Sequence, residues 1–169
     1  MCQGGCNNSR QVFRYEGVRD CRAAVLAGGG SKSCDYGCLG YGTCAAVCPF
    51  GAITMNANDI PVIDITKCTG CRKCEIACPK KVIEVLPAAK TLVVVACHSK
   101  DKGVDTKKNC DVGCIACGKC VKICPFEAAS IKDNVSRIDR DKCTACGLCV
   151  APCPTKTIVD YIPARSKAF

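Results

Sequence analysis

The sequence contains no tryptophan, and aromatic residues make up only 5% of its 169 residues. Aromatic side chains bury more apolar surface than most others, so a core built from this chain must be small. Chains with a small core often gain folding free energy from bound metal. We therefore expect the fold to depend on metal ligation.

Long apolar segments are also missing. The longest mainly apolar run, 91–97, is far shorter than the roughly 20 residues that span a bilayer. The first residues do not form the basic and then apolar pattern of a secretory signal. We expect a protein that is soluble, or that meets a membrane only through a partner.

Residues for bond-making chemistry are scarce. His98 is the only histidine, and the sequence has no Ser/His/Asp set, no pair of catalytic carboxylates and no nucleotide-binding fingerprint. We expect no catalytic site in the chain itself.

Cysteine is in large excess, with 21 residues, far above its ordinary use. Disulfides and thiolate–metal ligation both explain such an excess. The odd count leaves one thiol over in a fully paired framework, and the spacing of the cysteines favours metal. Disulfides are the weaker interpretation.

An internal repeat organises the chain. The cysteines at 21, 34, 38, 44 and 48 recur 76 residues later, and after a slip of one residue the run 68–79 matches 143–154. Each unit also predicts a hairpin, from strands 52–55 and 61–65 in the first unit and from strands 129–132 and 135–138 in the second. Short helical turns are expected at 72–77 and 147–151. The chain is therefore one unit used twice.

Three runs fit the pattern C-x2-C-x2-C-x3-C-P, at 68–79, 114–125 and 143–154. Three closely spaced cysteines wrap a loop around a [4Fe-4S] cluster, and in two-cluster ferredoxins the fourth cysteine ligates the neighbouring cluster. This crossed rule gives three ligand sets: Cys114, Cys117, Cys120 and Cys153; Cys143, Cys146, Cys149 and Cys124; Cys68, Cys71, Cys74 and Cys48. A single run could also occur in a zinc site, but three such runs indicate iron–sulfur clusters.

A fourth site is irregular. Cys38 and Cys44 are in place, but Tyr41 occupies the position of the middle cysteine. Cys34 is the nearest available thiol, so we predict Cys34, Cys38, Cys44 and Cys78 as its ligands.

Five cysteines remain, Cys2, Cys6, Cys21, Cys97 and Cys110. They are either incidental thiols of a reducing cell or ligands of a fifth centre. A fifth centre would combine Cys2, Cys6 and Cys21 with Cys34, or draw on both repeats, and the sequence leaves this open. Cys110 matches Cys34 although its own loop is complete, which indicates another purpose for this position.

We predict an α+β fold of two tandem bacterial-type 2[4Fe-4S] ferredoxin-like units with short hairpins and short helices, stabilised by four clusters. The predicted boundaries are an N-terminal segment 1–33, a first domain 34–86, a linker 87–109, a second domain 110–162 and a tail 163–169. Small residues in the loops let the backbone approach the clusters. Apolar neighbours such as Ile76, Ile115, Ile123 and Leu148 are expected to shield the clusters from water.

The formal net charge of +9 would by itself suggest nucleic-acid binding. The count omits thiolates and metal. A cubane with four thiolates carries about −2, so four clusters would add roughly −8 and bring the protein near neutrality. We do not expect nucleic acid as a partner.

Several stretches between the cluster motifs are unusual, namely 2–6 (CQGGC), 15–17 (YEG), 20–24 (DCRAA), 34–44 (CDYGCLGYGTC), 99–103 (SKDKG) and 113–117 (GCIAC). Together they resemble the polyferredoxin B subunit of the Rnf complex over nearly the whole chain. The resemblance implies an electron-transfer subunit of an ion-translocating ferredoxin:NAD oxidoreductase. Such a subunit takes electrons from reduced ferredoxin towards membrane partners, at the cytoplasmic face of the membrane, and the matching motif cysteines would be its cluster ligands.

The sequence departs from that family in one respect. Its members usually begin with a membrane helix and another four-cysteine domain, and neither is present here, so membrane association would rely on partners or on a missing N-terminal segment. Two alternatives stay open. One is a polyferredoxin subunit of a hydrogenase or another soluble redox complex, and the other is a thiol-rich metal-storage or zinc-scaffold protein without reducible centres.

Overall fold

The computed structural model of the chain describes residues 1–86 and 93–161. Its helices are α1 Cys21–Ala24, α2 Thr43–Ala46, α3 Lys73–Ala77, α4 Gly103–Asn109 and α5 Lys119–Ile123. Its strands are β1 Ile53–Met55, β2 Pro61–Ile63, β3 Val93–Val95, β4 Ala129–Lys132, β5 Val135–Ile138 and β6 Ile158–Asp160. Short helices and three two-stranded sheets in the described part confirm the predicted α+β class.

Both predicted hairpins are present. β1 pairs antiparallel with β2, with Ile53 opposite Ile63, and β4 pairs with β5 along all four residues of each strand. Between β4 and β5, Asp133 and Asn134 have φ angles of 51° and 58°. Positive φ at both central residues defines a type I′ turn, which Asp and Asn tolerate better than other side chains. These two residues therefore set the register of the second hairpin.

A third sheet joins β3 to β6, with Val94 opposite Val159. β3 lies before the second unit in sequence and β6 closes that unit, so the pairing spans the whole unit. The segment expected as a linker thus holds β3 and α4 in its described part. Residues 87–92 of that segment and the tail 163–169 lie outside the described residues.

The two predicted helical turns differ in outcome. α3 falls within the predicted range 72–77, but the matching stretch 147–151 forms turns and no helix. Pro152 explains the difference, because it has no N–H to donate to the carbonyl of Leu148 in the i to i−4 pattern of a helix. The prediction of a helical turn at 147–151 was wrong for this reason.

The core is small, as the scarcity of aromatic residues predicts. The largest fully buried side chains in the described part are Val82, Val93, Val135, Thr106, Thr157 and Ser99. One apolar cluster surrounds Ile53 and Val82 in the first unit, and another surrounds Val93 and Ile158 in the second. Cysteine side chains complete both clusters, so several of the predicted cluster ligands form part of the core.

Within residues 1–86 and 93–161, no helix combines the length and the apolar character that crossing a bilayer requires.

Candidate metal centres

The four cysteine loops share one backbone conformation. In each regular loop the residues on either side of the middle cysteine have positive φ, namely Gly70 and Arg72, Ala116 and Gly118, and Ala145 and Gly147. The irregular loop repeats this with Gly40 and Gly42, at 86° and 76°, on either side of Tyr41. Such alternation turns successive backbone N–H groups towards one side, where they can face an anionic group. The irregular loop therefore keeps the backbone conformation of the three regular loops although it has Tyr41 in place of the middle cysteine.

The Cys-Pro segments repeat a second feature. The third residue after each of the four cysteines has positive φ, namely Gly51, Lys81, Glu127 and Lys156. In one of these segments, the N–H of Ala128 donates to Cys124 Sγ at 3.3 Å. Burial alone would raise the pKa of Cys124, but backbone hydrogen bonds, led by the one from Ala128, lower it below its usual value. The segment thus stabilises a thiolate.

Four cysteines line one cavity in the second unit. The cavity measures about 360 Å³ and its cysteines are Cys114, Cys117, Cys120 and Cys153, the set that the crossed rule predicts. The N–H of Ser136 donates to Cys114 Sγ at 3.4 Å, and Ser136 Oγ lies 3.2 Å from Cys120 Sγ. Ile115 lies in the cavity wall, as expected of a shielding residue.

A second cavity in the same unit measures about 330 Å³. It is lined by the other predicted set, Cys124, Cys143, Cys146 and Cys149, together with Leu148. Burial raises the pKa of Cys149 to about 11. Each cavity therefore combines three cysteines of one loop with the fourth cysteine of the other.

Apolar shielding is less complete than the sequence suggested. The Ile76 side chain is 83% exposed, and Ile123 is 42% exposed. Both stand on short helices whose outer faces meet solvent, so the expectation of shielding was wrong for Ile76.

The first unit gathers five of its motif cysteines around one apolar cluster, whereas Cys68 and Cys71 are exposed outside it. Buried Cys38 and Cys44 belong to that cluster, and the partly buried cysteines that pack against it are Cys2, Cys48, Cys74 and Cys78. Burial raises the pKa of Cys38 to about 12 and that of Cys44 to about 11, and the neighbouring charge of Cys21 adds to both shifts. Cys21 therefore stands beside the irregular site, where the sequence assigned it no role.

Cys34 lies in a different place. It lines a third cavity, of about 370 Å³, whose other cysteines are Cys2, Cys97 and Cys110. The assignment of Cys34 to the irregular site stays a prediction, and this cavity is an alternative location for it. The repeat offered a signal for this, because Cys34 and Cys110 occupy equivalent positions.

All 21 cysteines are free thiols. Among the described residues, no group of three or more Cys, His or carboxylate side chains is arranged to hold a single metal ion. The zinc-scaffold interpretation stays an alternative.

Comparison with known families places a cluster domain in each repeat unit. One 4Fe-4S dicluster domain family matches residues 33–82, and a second 4Fe-4S dicluster domain family matches residues 107–161. These matches confirm the predicted fold of two tandem two-cluster ferredoxin units.

Similarity to curated proteins extends beyond these domains. The chain is 49% identical over 142 residues to the B subunit of the Na(+)-translocating ferredoxin:NAD(+) oxidoreductase complex of Acetobacterium woodii, covering 84% of this chain and 42% of that protein. It is 46% identical to the proton-translocating counterpart of Clostridium ljungdahlii, covering 82% and 49%. It is 45% identical to the B subunit of the ion-translocating oxidoreductase complex of Methanosarcina acetivorans, covering 83% and 53%.

The chain spans about half the length of these curated relatives. The alignment of 142 residues is longer than the two domain matches combined, so the likeness includes the stretches between the cluster motifs. The chain therefore contains two 4Fe-4S dicluster ferredoxin domains and, along 82–84% of its length, is a homologue of the B subunits of Rnf complexes.

Proposed function

We propose that this chain is the multi-cluster electron-transfer part of an Rnf-type B subunit. It relays electrons from reduced ferredoxin towards membrane partners of the complex, at the cytoplasmic face of the membrane. The observation that carries the proposal is the pair of cysteine quartets in the second unit, each lining one cavity across two loops. The similarity to B subunits along the stretches between the motifs supports the complex to which the chain would belong.

Four [4Fe-4S] clusters follow from the four loops. The three regular sites take the ligand sets given by the crossed rule, and the irregular site takes Cys38, Cys44 and Cys78 with a fourth thiolate from Cys34 or Cys21. Each bound cluster supplies one-electron redox chemistry. The chain provides the thiolates, donates backbone N–H groups to sulfur and excludes part of the water, which are the means by which a protein sets reduction potentials.

An exposed loop of the first unit is suited to accept electrons. Cys68 and Cys71 are exposed, and so are the neighbouring Lys67, Arg72 and Lys73. Positive charge around an accessible centre steers an acidic partner into productive encounter. We propose that an acidic ferredoxin docks at this loop.

The test mixes reduced ferredoxin with the anaerobically purified protein in a stopped-flow instrument. Bleaching of the protein's visible absorption measures the rate of electron transfer. The wild-type protein should be reduced within the mixing experiment. The variant Lys67→Glu/Lys73→Glu should react about threefold to tenfold more slowly at low salt, with the difference fading at high salt.

A matched control is available on α4. Lys107 and Lys108 are exposed, and Lys108 pairs with Asp105 at 3.7 Å much as Lys67 pairs with Asp64 at 3.6 Å. Lys107→Glu/Lys108→Glu makes the same change in net charge on another element, α4, and should leave the rate near that of the wild type. Equal slowing in both variants would contradict docking at this loop. If reduced ferredoxin did not reduce the wild-type protein, the proposed electron-transfer function would be wrong.

A further inference from the structure

The third cavity lies where the N-terminal segment meets both repeat units. Four cysteines line it, Cys2, Cys34, Cys97 and Cys110. Four cysteines likewise line each of the two cavities in the second unit. No C-x2-C motif contributes to it, so the sequence pattern gave it no assigned cofactor.

Backbone contacts bring these four distant cysteines together. Ser9 forms an antiparallel bridge with Cys110, and the N–H of Gln3 donates to the carbonyl of Ala96 at 3.3 Å. The first contact holds the N-terminal segment against the end of α4, and the second holds it against the residue before Cys97. The convergence is therefore built into the packing of three segments.

Gly4 lies beside two of the four sulfurs. A Cβ atom at Gly4 would lie 3.0 Å from Cys110 Sγ, which is a crowded contact, and 3.6 Å from Cys2 Sγ, which is an ordinary one. The absence of a Cβ atom at Gly4 therefore leaves space beside Cys110 Sγ for a bulky group bound to that sulfur.

The sulfurs also receive backbone N–H donors, as those of the motif cysteines do. The N–H groups of Gly4 and Cys38 lie 3.3 and 3.5 Å from Cys2 Sγ. The N–H of Ser99 lies 3.5 Å from Cys97 Sγ. Such donors stabilise thiolate sulfur and tune iron–sulfur centres.

A buried cation stands in the cavity wall. Lys32 is only 6% exposed and lines the cavity, and its Nζ donates to the carbonyl of Gly4 at 2.7 Å. Burying an ammonium group is costly unless negative charge compensates it. A cubane with four thiolates carries about −2 and would supply that charge.

The irregular site has a replacement ligand close by. The N–H of Cys21 donates to Thr43 Oγ1 at 2.7 Å, which holds α1 against the helix that carries Cys44. In the repeat, Tyr41 stands where the second unit has Cys117, and Cys21 stands where it has Cys97. The first unit therefore needs Cys21 at its own loop, whereas the complete second loop leaves Cys97 available for the third cavity.

We propose that Cys2, Cys34, Cys97 and Cys110 bind a fifth [4Fe-4S] cluster, and that Cys21 takes the place of Cys34 in the irregular site. The proposal rests on the iron–sulfur function above for the identity of the cofactor. It gives every cysteine except Cys6 a cluster. The fifth cluster joins the N-terminal segment and both units around one inorganic group.

The first test is a count on the wild-type chain, purified without oxygen and reconstituted with iron and sulfide. Five clusters correspond to about 20 iron atoms and about 20 acid-labile sulfides per folded chain, and four clusters to about 16 of each. Native mass spectrometry distinguishes the two loads directly. A brown protein that ferredoxin reduces and that saturates at about 16 irons would overturn the fifth centre and leave the electron carrier intact. A colourless protein would contradict both the fifth cluster and the proposed electron-transfer function.

The second test identifies the ligands by paired alanine variants. Cys34→Ala/Cys97→Ala removes two ligands of one site and should lose about four irons and one EPR signal of the reduced protein. Cys21→Ala/Cys44→Ala should lose about four irons and a different signal, and the quadruple variant about eight. Cys6→Ala, the matched control, should keep the full load.

Two results would contradict the assignment. One is a wild-type iron load in Cys34→Ala/Cys97→Ala, and the other is loss of the same EPR signal in that variant as in Cys21→Ala/Cys44→Ala. Persistence of the EPR signals of the second unit shows that a variant has folded. If a variant does not fold, the wild-type count still decides for or against the fifth cluster.

Discussion

At the scale of single residues, we expect the hydrogen-bond donors around sulfur to tune the reduction potential of each bound cluster. Ser136 is the clearest case, because it is 2% exposed and contacts two cysteines of one cavity through different atoms. Its backbone N–H donates to Cys114 Sγ, and its hydroxyl faces Cys120 Sγ. Hydrogen bonds to cluster sulfurs favour the more negative, reduced state.

Ser136→Ala tests this effect, because it removes the hydroxyl and keeps the backbone donor. The midpoint potential of the cluster held by the 114–120 loop should fall by about 20–60 mV, the equivalent of one modest hydrogen bond. An anaerobic redox titration followed by EPR measures the shift. Ser130→Ala, an exposed change on the paired strand β4, should leave the potential unchanged. An unchanged or raised potential in Ser136→Ala would show that the hydroxyl does not donate to sulfur.

At the scale of secondary-structure elements, the β4–β5 hairpin carries Ser136 into the second unit, so its turn positions part of a site. The left-handed conformation of Asp133 and Asn134 is unfavourable for most side chains, and for β-branched ones above all. Helices contribute less, since each of the five described has seven residues or fewer. Turn chemistry rather than helix propensity therefore determines the local structure.

Asp133→Val should destabilise the holo protein by about 1–2 kcal/mol, because valine is strained at a φ of 51°. Anaerobic guanidinium unfolding, followed by loss of visible absorption, measures the change. Asp133→Gly should be close to neutral, since glycine adopts this conformation freely. Ser130→Val places the same side chain at an exposed, extended position and should not destabilise. Equal losses in the two valine variants would contradict a specific role of the turn.

At the scale of the whole molecule, the core is small, and we expect the fold to need bound metal. The largest fully buried side chains of the described part are valine and threonine, and several buried positions are cysteines. Burial raises the pKa of Cys34 to about 11 and that of Cys38 to about 12, so these thiols are neutral at pH 7 unless metal deprotonates them. We therefore expect metal binding and folding to be coupled. Five clusters, at about −2 each, would also offset the formal charge of +9.

Removal of iron should unfold the chain. After treatment with a chelator under anaerobic reducing conditions, far-UV circular dichroism should lose most of its native signal, and the buried cysteines should become open to alkylation. Reconstitution with iron and sulfide should restore the signal, which separates reversible unfolding from damage. A native spectrum in the iron-free chain would show that the apolar core is sufficient.

Much of the fold followed from local patterns. The two hairpins were predicted from alternating apolar residues around turn-forming ones, and the type I′ turn bears this out. The tandem ferredoxin fold followed from the repeat and the spacing of the motif cysteines. Local prediction failed at 147–151, where Pro152 prevents a helix, and at Ile76, whose exposure depends on which face of α3 meets solvent.

The sequence by itself predicted the chemistry and the paired regular sites, because three predicted ligands of each site lie in one loop and their spacing alone brings them together. Only the tertiary structure showed which cysteines outside the regular sites line a common cavity. Cys2, Cys34, Cys97 and Cys110 come from segments far apart in the chain, and their approach depends on how the N-terminal segment packs against both units. The β3–β6 pairing has the same origin, since its strands lie at opposite ends of the second unit. Contacts of this kind depend on the packing of the whole chain, which no local spacing records.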